Sequence, residues 1–220
     1  MNKFDNVVHA GAEEVYNRTH ALSGRWAKDF FHSSNPVILE LGCGKGEYTV
    51  GLAELFPEKN FIGVDIKGAR MWKGARYAYE NNMDNVGFLR TRIELISSFF
   101  SSDEIEQIWL TFPDPQIKKS RKRLTSAAFL NRYRGFLRSG GLVHLKTDSK
   151  ELYDYTLELI RINKLELLES TDDLYGSGKS DEILSIRTFY EQQYLDIGKS
   201  ISYIKFRIDG SLRITEPDGK

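Results

Sequence analysis

The chain has 220 residues, enough for one domain with a full core, and its 31 Lys and Arg balance its 31 Asp and Glu to a formal net charge of +0. Global charge therefore carries no nucleic-acid signal, and any such signal has to be local. The single cysteine, Cys43, excludes a disulfide framework and a Cys-rich zinc site, and His9, His20, His32 and His144 lack metal-ligand spacing. No apolar run approaches the roughly 20 residues a membrane helix needs, and Met1–Asp5 opens no apolar signal core. The expectation is a cytoplasmic protein with no metal.

Residues 1–35 show no strong period and are expected to form an N-terminal arm ahead of one domain over 36–220. Arg18, Gly24, Arg25 and Trp26 stand out there, and two readings stay open. The arm packs over the domain, or it is a basic segment whose aromatic touches RNA.

From Val37 the pattern alternates. The apolar run Val37–Leu41 reads as a buried parallel strand. It breaks into Gly42, Gly44 and Gly46, and a helical pattern follows over Glu47–Leu55. Glycines at that point let the backbone turn sharply and let a ligand approach closely. Glu40, two residues before the first glycine, would set like charge against a pyrophosphate, so an adenosine ligand bearing a cationic group fits better. The next strand, Phe61–Asp65, ends in an acid well placed for ribose hydroxyls. This Glu-x-Gly-x-Gly-x-Gly pattern with its downstream acid resembles motif I of class I S-adenosylmethionine (AdoMet) methyltransferases.

A helix is predicted over Gly68–Asn82, a strand over Val86–Arg90 and a short helix near Ile93–Phe100. The turn Thr91-Arg-Ile-Glu94 stands where methyltransferases line the adenine, often with an acid. Here Arg92 takes that place, and backbone could supply the contact. A fourth strand covers Gln107–Phe112, a helix Ser126–Leu137, a fifth strand Leu142–Thr147, a helix Lys150–Ile162 and a sixth strand Leu165–Ser170. Thr171–Ser200 reads as a long irregular stretch before a last strand, Ile201–Ile208. Strands alternating with helices predict an α/β, doubly wound, mostly parallel seven-stranded sheet with helices on both faces. The methyltransferase resemblance implies a Rossmann-like order with the last strand antiparallel.

The most informative stretch is Trp109–Leu124. Pro113 and Pro115 stiffen the backbone on both sides of Asp114, at the sheet edge where the glycines lie. A carboxylate held rigidly there is a site candidate. Lys118, Lys119, Arg121, Lys122 and Arg123 then place five basic side chains in six residues, a local phosphate-binding patch in a neutral chain.

Phe-Pro-Asp-Pro followed by a Lys/Arg cluster resembles the signature of the bacterial single-chain tRNA (guanine-N7-)-methyltransferases. The resemblance spans nearly the whole chain, through Glu40–Gly46, Asp65, Pro113–Arg123, Leu145-Lys-Thr-Asp148 and Thr188-Phe-Tyr-Glu191. It implies AdoMet as methyl donor and tRNA as partner, with no obligate protein partner, in a monomer or homodimer. The implied product is 7-methylguanosine at position 46, in the variable loop. Glu40, Gly42, Gly44, Asp65, Arg92 and Asp114 would then face AdoMet, with Asp114 the catalytic residue. Lys118, Asp148, Thr188, Phe189, Tyr190 and Glu191 would face the RNA. The chain departs from the family at Gln116, where Trp is usual, and at Ser120–Arg121, where His is usual. Arg92 replaces an acid, and Thr-Phe-Tyr-Glu replaces Thr-Lys-Phe-Glu.

Guanine N7 carries a lone pair and no proton, so its methylation needs no obligatory general base, and catalysis is mainly positioning with electrostatics second. Methylation leaves positive charge on the purine, which a carboxylate at Asp114 would favour. Asp148 or Glu191 could accept from the guanine N1–H and amino group, and Phe189 or Tyr190 could stack on the base. Three rivals are an AdoMet enzyme for another acceptor, a non-catalytic RNA-binding module and an NAD-linked oxidoreductase. The basic run opposes the first, the three acids the second, and Glu40 with the short glycine spacing the third.

Overall fold

A computed structural model describes residues 4–208 and 213–217; the first three residues of the N-terminal stretch lie outside it. In chain order the elements are β1 (Val7–His9), α1 (Ala12–Val15), β2 (Val37–Leu41), α2 (Glu47–Leu55), β3 (Asn60–Asp65), α3 (Gly68–Glu80), β4 (Val86–Arg90), β5 (Ile105–Thr111), α4 (Ala127–Tyr133), β6 (Leu137–Thr147), α5 (Lys150–Ile162), β7 (Glu166–Thr171), α6 (Phe189–Asp196) and β8 (Ser202–Arg207). The strands form one sheet in the order β1-β4-β3-β2-β5-β6-β8-β7. All neighbours from β1 to β6 run parallel. β8 lies antiparallel between β6 and β7. Among the described residues no helix is long and apolar enough to cross a membrane.

Every residue of β2 is buried because helices cover both faces of the sheet. Alternation along each strand divides the apolar side chains into two cores. Leu39, Leu41, Ile62 and Val64 pack with Leu130, Leu152 and Leu159 of α4 and α5. Ile38, Phe61 and Phe88 pack with Leu52, Met71 and Ala75 of α2 and α3. Ser149 caps α5, its hydroxyl accepting from the Leu152 N–H at 3.2 Å.

The seven predicted strands are present and an eighth joins them. β1 pairs in parallel with β4, Val7 opposite Phe88. At three residues it is too short to show a period. Farther along the N-terminal segment, Trp26 is fully buried in the α4–α5 core. Its indole N–H donates to the Phe99 carbonyl at 2.8 Å, and Arg25 pairs with Asp29. The reading in which this aromatic touches RNA is therefore corrected, since its ring is a core element.

The stretch expected to be irregular, Thr171–Ser200, holds a helix, α6. Thr188 caps it, with the Thr188 hydroxyl accepting from the Glu191 N–H at 3.1 Å and the Glu191 carboxylate accepting from the Thr188 N–H at 3.4 Å. This is a capping box, so Thr-x-x-Glu marks a helix start.

Candidate active site

β2 stands between β3 and β5, so the winding of the sheet turns back there. In open α/β sheets the ligand crevice opens outside the carboxyl ends of the strands at such a switch point. The register sets Glu40 opposite Trp109. The chain therefore leaves β2 into the glycine turn and leaves β5 into Pro113–Pro115 at one edge of the sheet.

The glycine turn needs its glycines. Gly46 has φ 74°, and a Cβ there would lie 2.6 Å from the Phe88 ring. Gly44 has φ 56° with nothing within 4 Å of where a Cβ would sit, so a ligand can approach its backbone. Asp65 secures the turn from the next strand. One oxygen accepts from the Gly44 N–H at 3.0 Å, the other from the Lys67 N–H at 2.7 Å.

These turns border a cleft of about 490 Å³, within the ~300–1,000 Å³ range of small-ligand sites. Its walls include Gly42, Asp65, Arg92 and Asp114, four of the residues singled out in the sequence. Thr91, Ile93, Phe112 and Lys122, from the turn, signature and basic run read in the sequence, join them, as do Ile66, Lys67 and Arg70, which nothing in the local pattern marked. A larger groove, about 1050 Å³, runs between α2 and α3. It contains neither the strand-end acids nor the proline-braced loop, and it shares only Arg70 with the smaller cleft, so the smaller cleft is the candidate site.

Asp114 is exposed in the cleft wall and its carboxylate accepts from the Gln116 N–H at 2.9 Å. Phe112 at φ 50° and Gln116 at φ 45° flank it, both non-glycine residues in the left-handed region. Such conformations cost on the order of 1–3 kcal/mol each and concentrate at functional sites. Two bonds hold the loop in place. The Phe112 N–H donates to the Lys146 carbonyl at 2.8 Å, and the Arg123 Nε–H donates to the Pro115 carbonyl at 2.8 Å.

Glu40 sits behind the turn, outside the cleft wall. It is buried, and its carboxylate accepts from the Thr49 N–H at 2.8 Å and from the hydroxyls of Thr49 and Thr111. Burial pushes its pKa up to about 7 against those hydrogen bonds. The residue joins β2, α2 and β5 beneath the glycines.

The basic run divides. Lys118, Lys119, Arg121 and Lys122 are exposed. Among the described residues none of the four pairs with a carboxylate, so all can meet phosphate. Arg123 is 2 % exposed, with its guanidinium paired to Glu151 and 4.5 Å from the Tyr155 ring centre. The expected phosphate contact at Arg123 is corrected: its side chain is buried, with Nε bonded to the Pro115 carbonyl and a terminal nitrogen to Glu151.

The remaining predicted substrate residues lie beside the cleft. Asp148, at the end of β6, pairs with Lys199 at 2.7 Å. Phe189 is 45 % exposed and carries the Lys45 ammonium 3.2 Å from its ring centre. Tyr190 has Arg70 over its ring at 5.7 Å. Thr188 serves as the α6 cap, and Glu191 is fully buried against Lys146 at 2.7 Å. Glu191 is thus an interior group whose carboxylate is held by Lys146 and Tyr175, and the expectation that it accepts from the guanine is corrected. Among the described residues no group of three or more His, Cys, Asp or Glu is placed to hold a metal ion.

A ligand-sized cleft at the switch point, a glycine turn, a strand-end acid and an antiparallel last strand define a class I methyltransferase. Residues 34–203 match the family model described as "Putative methyltransferase". The tRNA (guanine-N(7)-)-methyltransferase of Porphyromonas gingivalis is 57% identical over 90% of this chain and 82% of its own length. That of Bacteroides fragilis is 52% identical over 99% of this chain and 86% of its own. That of Christiangramia forsetii is 50% identical over 94% and 93%. The chain belongs to this tRNA (guanine-N(7)-)-methyltransferase family. Solved structures share the fold at low identity. The 16S rRNA methyltransferase KamB aligns with TM-score 0.62 at 13% identity over 80% of this chain and 88% of that one. An antibiotic-related methyltransferase aligns with TM-score 0.61 at 13% identity over 87% and 96%.

Proposed function

We propose that the protein transfers a methyl group from AdoMet to N7 of guanine at position 46 of tRNA. One observation carries this reading: Gly42, Asp65 and Asp114 line a single cleft at the switch point, with Lys122 of the exposed basic run on the same wall.

The residues present suit AdoMet. Gly42 and Gly44 leave room for close approach of the methionine portion. Each Asp65 oxygen accepts a single backbone hydrogen bond, so lone pairs remain for two ribose hydroxyls. Ile66, Ile93 and the backbone at Arg92 would flank the adenine. When bound, the donor supplies an electrophilic methyl group on a sulfonium.

The chain's own residues then hold and orient the guanine. Its N7 needs no deprotonation, so the task is alignment against the donor. The Asp114 carboxylate, fixed by its two prolines and the Gln116 N–H, faces the positive charge that grows on the purine. Asp148 accepts from the Watson–Crick edge once Lys199 yields. Lys118, Lys119, Arg121 and Lys122 bind the flanking phosphates. A base taken out of its stack costs a few kcal/mol, which those phosphate contacts offset.

The test is to incubate an unmodified tRNA transcript with the protein and AdoMet, then cleave the RNA at 7-methylguanosine by borohydride reduction and aniline. A single cut at position 46 is expected. Cuts elsewhere, or none, overturn the assignment.

A further inference from the structure

Lys146 is a lysine in the middle of the sheet, on β6, fully buried. A buried ammonium is costly unless all its protons are bonded. Here the three donors meet three acceptors: Leu184 carbonyl at 2.6 Å, Ile186 carbonyl at 3.2 Å and Glu191 carboxylate at 2.7 Å. Glu191 is fully buried too, and its carboxylate also accepts from the Tyr175 hydroxyl at 2.6 Å. The lysine thus binds the 184–191 segment to the central sheet. Its own carbonyl accepts from the Phe112 N–H, so the same residue anchors the start of the Asp114 loop.

What Lys146 holds is α6, and α6 touches two residues of the cleft wall and the glycine turn beside it. Phe189 meets Lys45 of the glycine turn, and its N–H donates to Glu47 at 2.7 Å. Tyr190 meets Arg70, which lines the cleft. Tyr194 packs on Phe112 with ring centres 5.9 Å apart, and Phe112 also lines the cleft. Tyr190 therefore stands at the rim through Arg70, and Phe189 stands next to it against the glycine turn, both with partly exposed rings, while Thr188 and Glu191 on either side of them serve the helix cap and the buried clasp.

We propose that Lys146 is a positioning residue for the RNA substrate. Its ammonium clasps α6 beside the cleft and sets Phe189 and Tyr190 as the surface on which the incoming base stacks. The proposal rests on the reading that the cleft methylates tRNA. Thr188 and Glu191 then act through helix placement, and Lys146 acts through the two rings.

Removing Lys146 alone would strand the Glu191 charge, so both are replaced together, as Lys146→Met with Glu191→Gln. Steady-state kinetics on tRNA and calorimetry with S-adenosylhomocysteine read the result. The KM for tRNA is expected to rise about 5- to 150-fold, the range for removal of one base–aromatic stack, while S-adenosylhomocysteine affinity stays within about twofold. A merely structural pair would lower kcat through the active fraction and leave KM in place. Phe189→Ala with Tyr190→Ala, which removes no buried group, is expected to raise KM similarly at unchanged melting temperature. Combining all four changes is expected to be no worse than the larger effect, because they act as one unit. An unchanged KM in either pair, or effects that multiply in the combination, overturns the proposal. A wild-type protein that leaves tRNA unmethylated sinks the functional reading itself, and the inference with it.

Discussion

Arg123 lies in a run of basic residues that invites a nucleic-acid reading, yet its side chain is inside the protein. Arg123→Met keeps the apolar stem and removes the charge and donors. The size of the effect follows from what the guanidinium touches. A charge-assisted hydrogen bond to the Pro115 carbonyl contributes about 1.5–3 kcal/mol. Packing on the Tyr155 ring adds about 0.5–2 kcal/mol. The Glu151 partner is 49% exposed, so screening holds that pair to roughly 0–1 kcal/mol. These contributions overlap, and a net destabilisation of about 3 kcal/mol follows. For a chain of this length that is a fall in Tm of about 6–12 °C, read by thermal unfolding at fixed pH and salt. Because Arg123 holds the Pro115 carbonyl, kcat should also fall, while the salt dependence of tRNA binding stays as in wild type. An unchanged Tm together with a flatter salt slope would refute the reasoning and return Arg123 to the RNA surface.

Asp114→Asn should cut single-turnover methyl transfer by roughly 10²–10³ while tRNA and S-adenosylhomocysteine still bind; near-normal turnover would remove Asp114 from the chemistry. Lys118→Ala with Lys119→Ala should lower the slope of log K against log salt by about 2, one for each phosphate left without its lysine, and leave Tm unchanged. An unaltered slope counts against phosphate binding there. Glu40 has a folded pKa raised to about 7 against 4.5. Between those values the folded state holds the proton that the unfolded state has released. The sign is therefore a stability that declines as pH rises from about 4.5 to about 7, by on the order of 3 kcal/mol, and is flat above. Denaturant titrations of Glu40→Gln should lack this slope, and parallel curves for the two proteins would contradict the burial argument.

Much of this architecture is legible in the sequence because apolar runs and breakers are local signals. β2, its glycine turn and α2 read directly, since a run buried on both faces cannot hide its composition. Asp114 is legible because two prolines and a strand end converge on it. The misses have physical causes. β1 is three half-buried residues, too few for a period. α6 buries little of its surface apart from Glu191, so it lacks an apolar stripe, and its capping box coincides with residues expected at the RNA. Arg123 is chemically the same as its neighbours, and only tertiary packing turns it inward. Lys146 and Glu191 lie 45 positions apart, a pairing that no local pattern encodes.

The proposed mechanism needs one cleft to hold the methyl donor between the glycine turn and the proline-braced aspartate. The direct measurement is a crystal structure with S-adenosylhomocysteine. Ribose hydroxyls on Asp65, adenine beside Ile66 and Arg92, and the sulfur turned toward Asp114 are the expected result. Density for the ligand in the groove between α2 and α3, or with its sulfur facing away from Asp114, would contradict it.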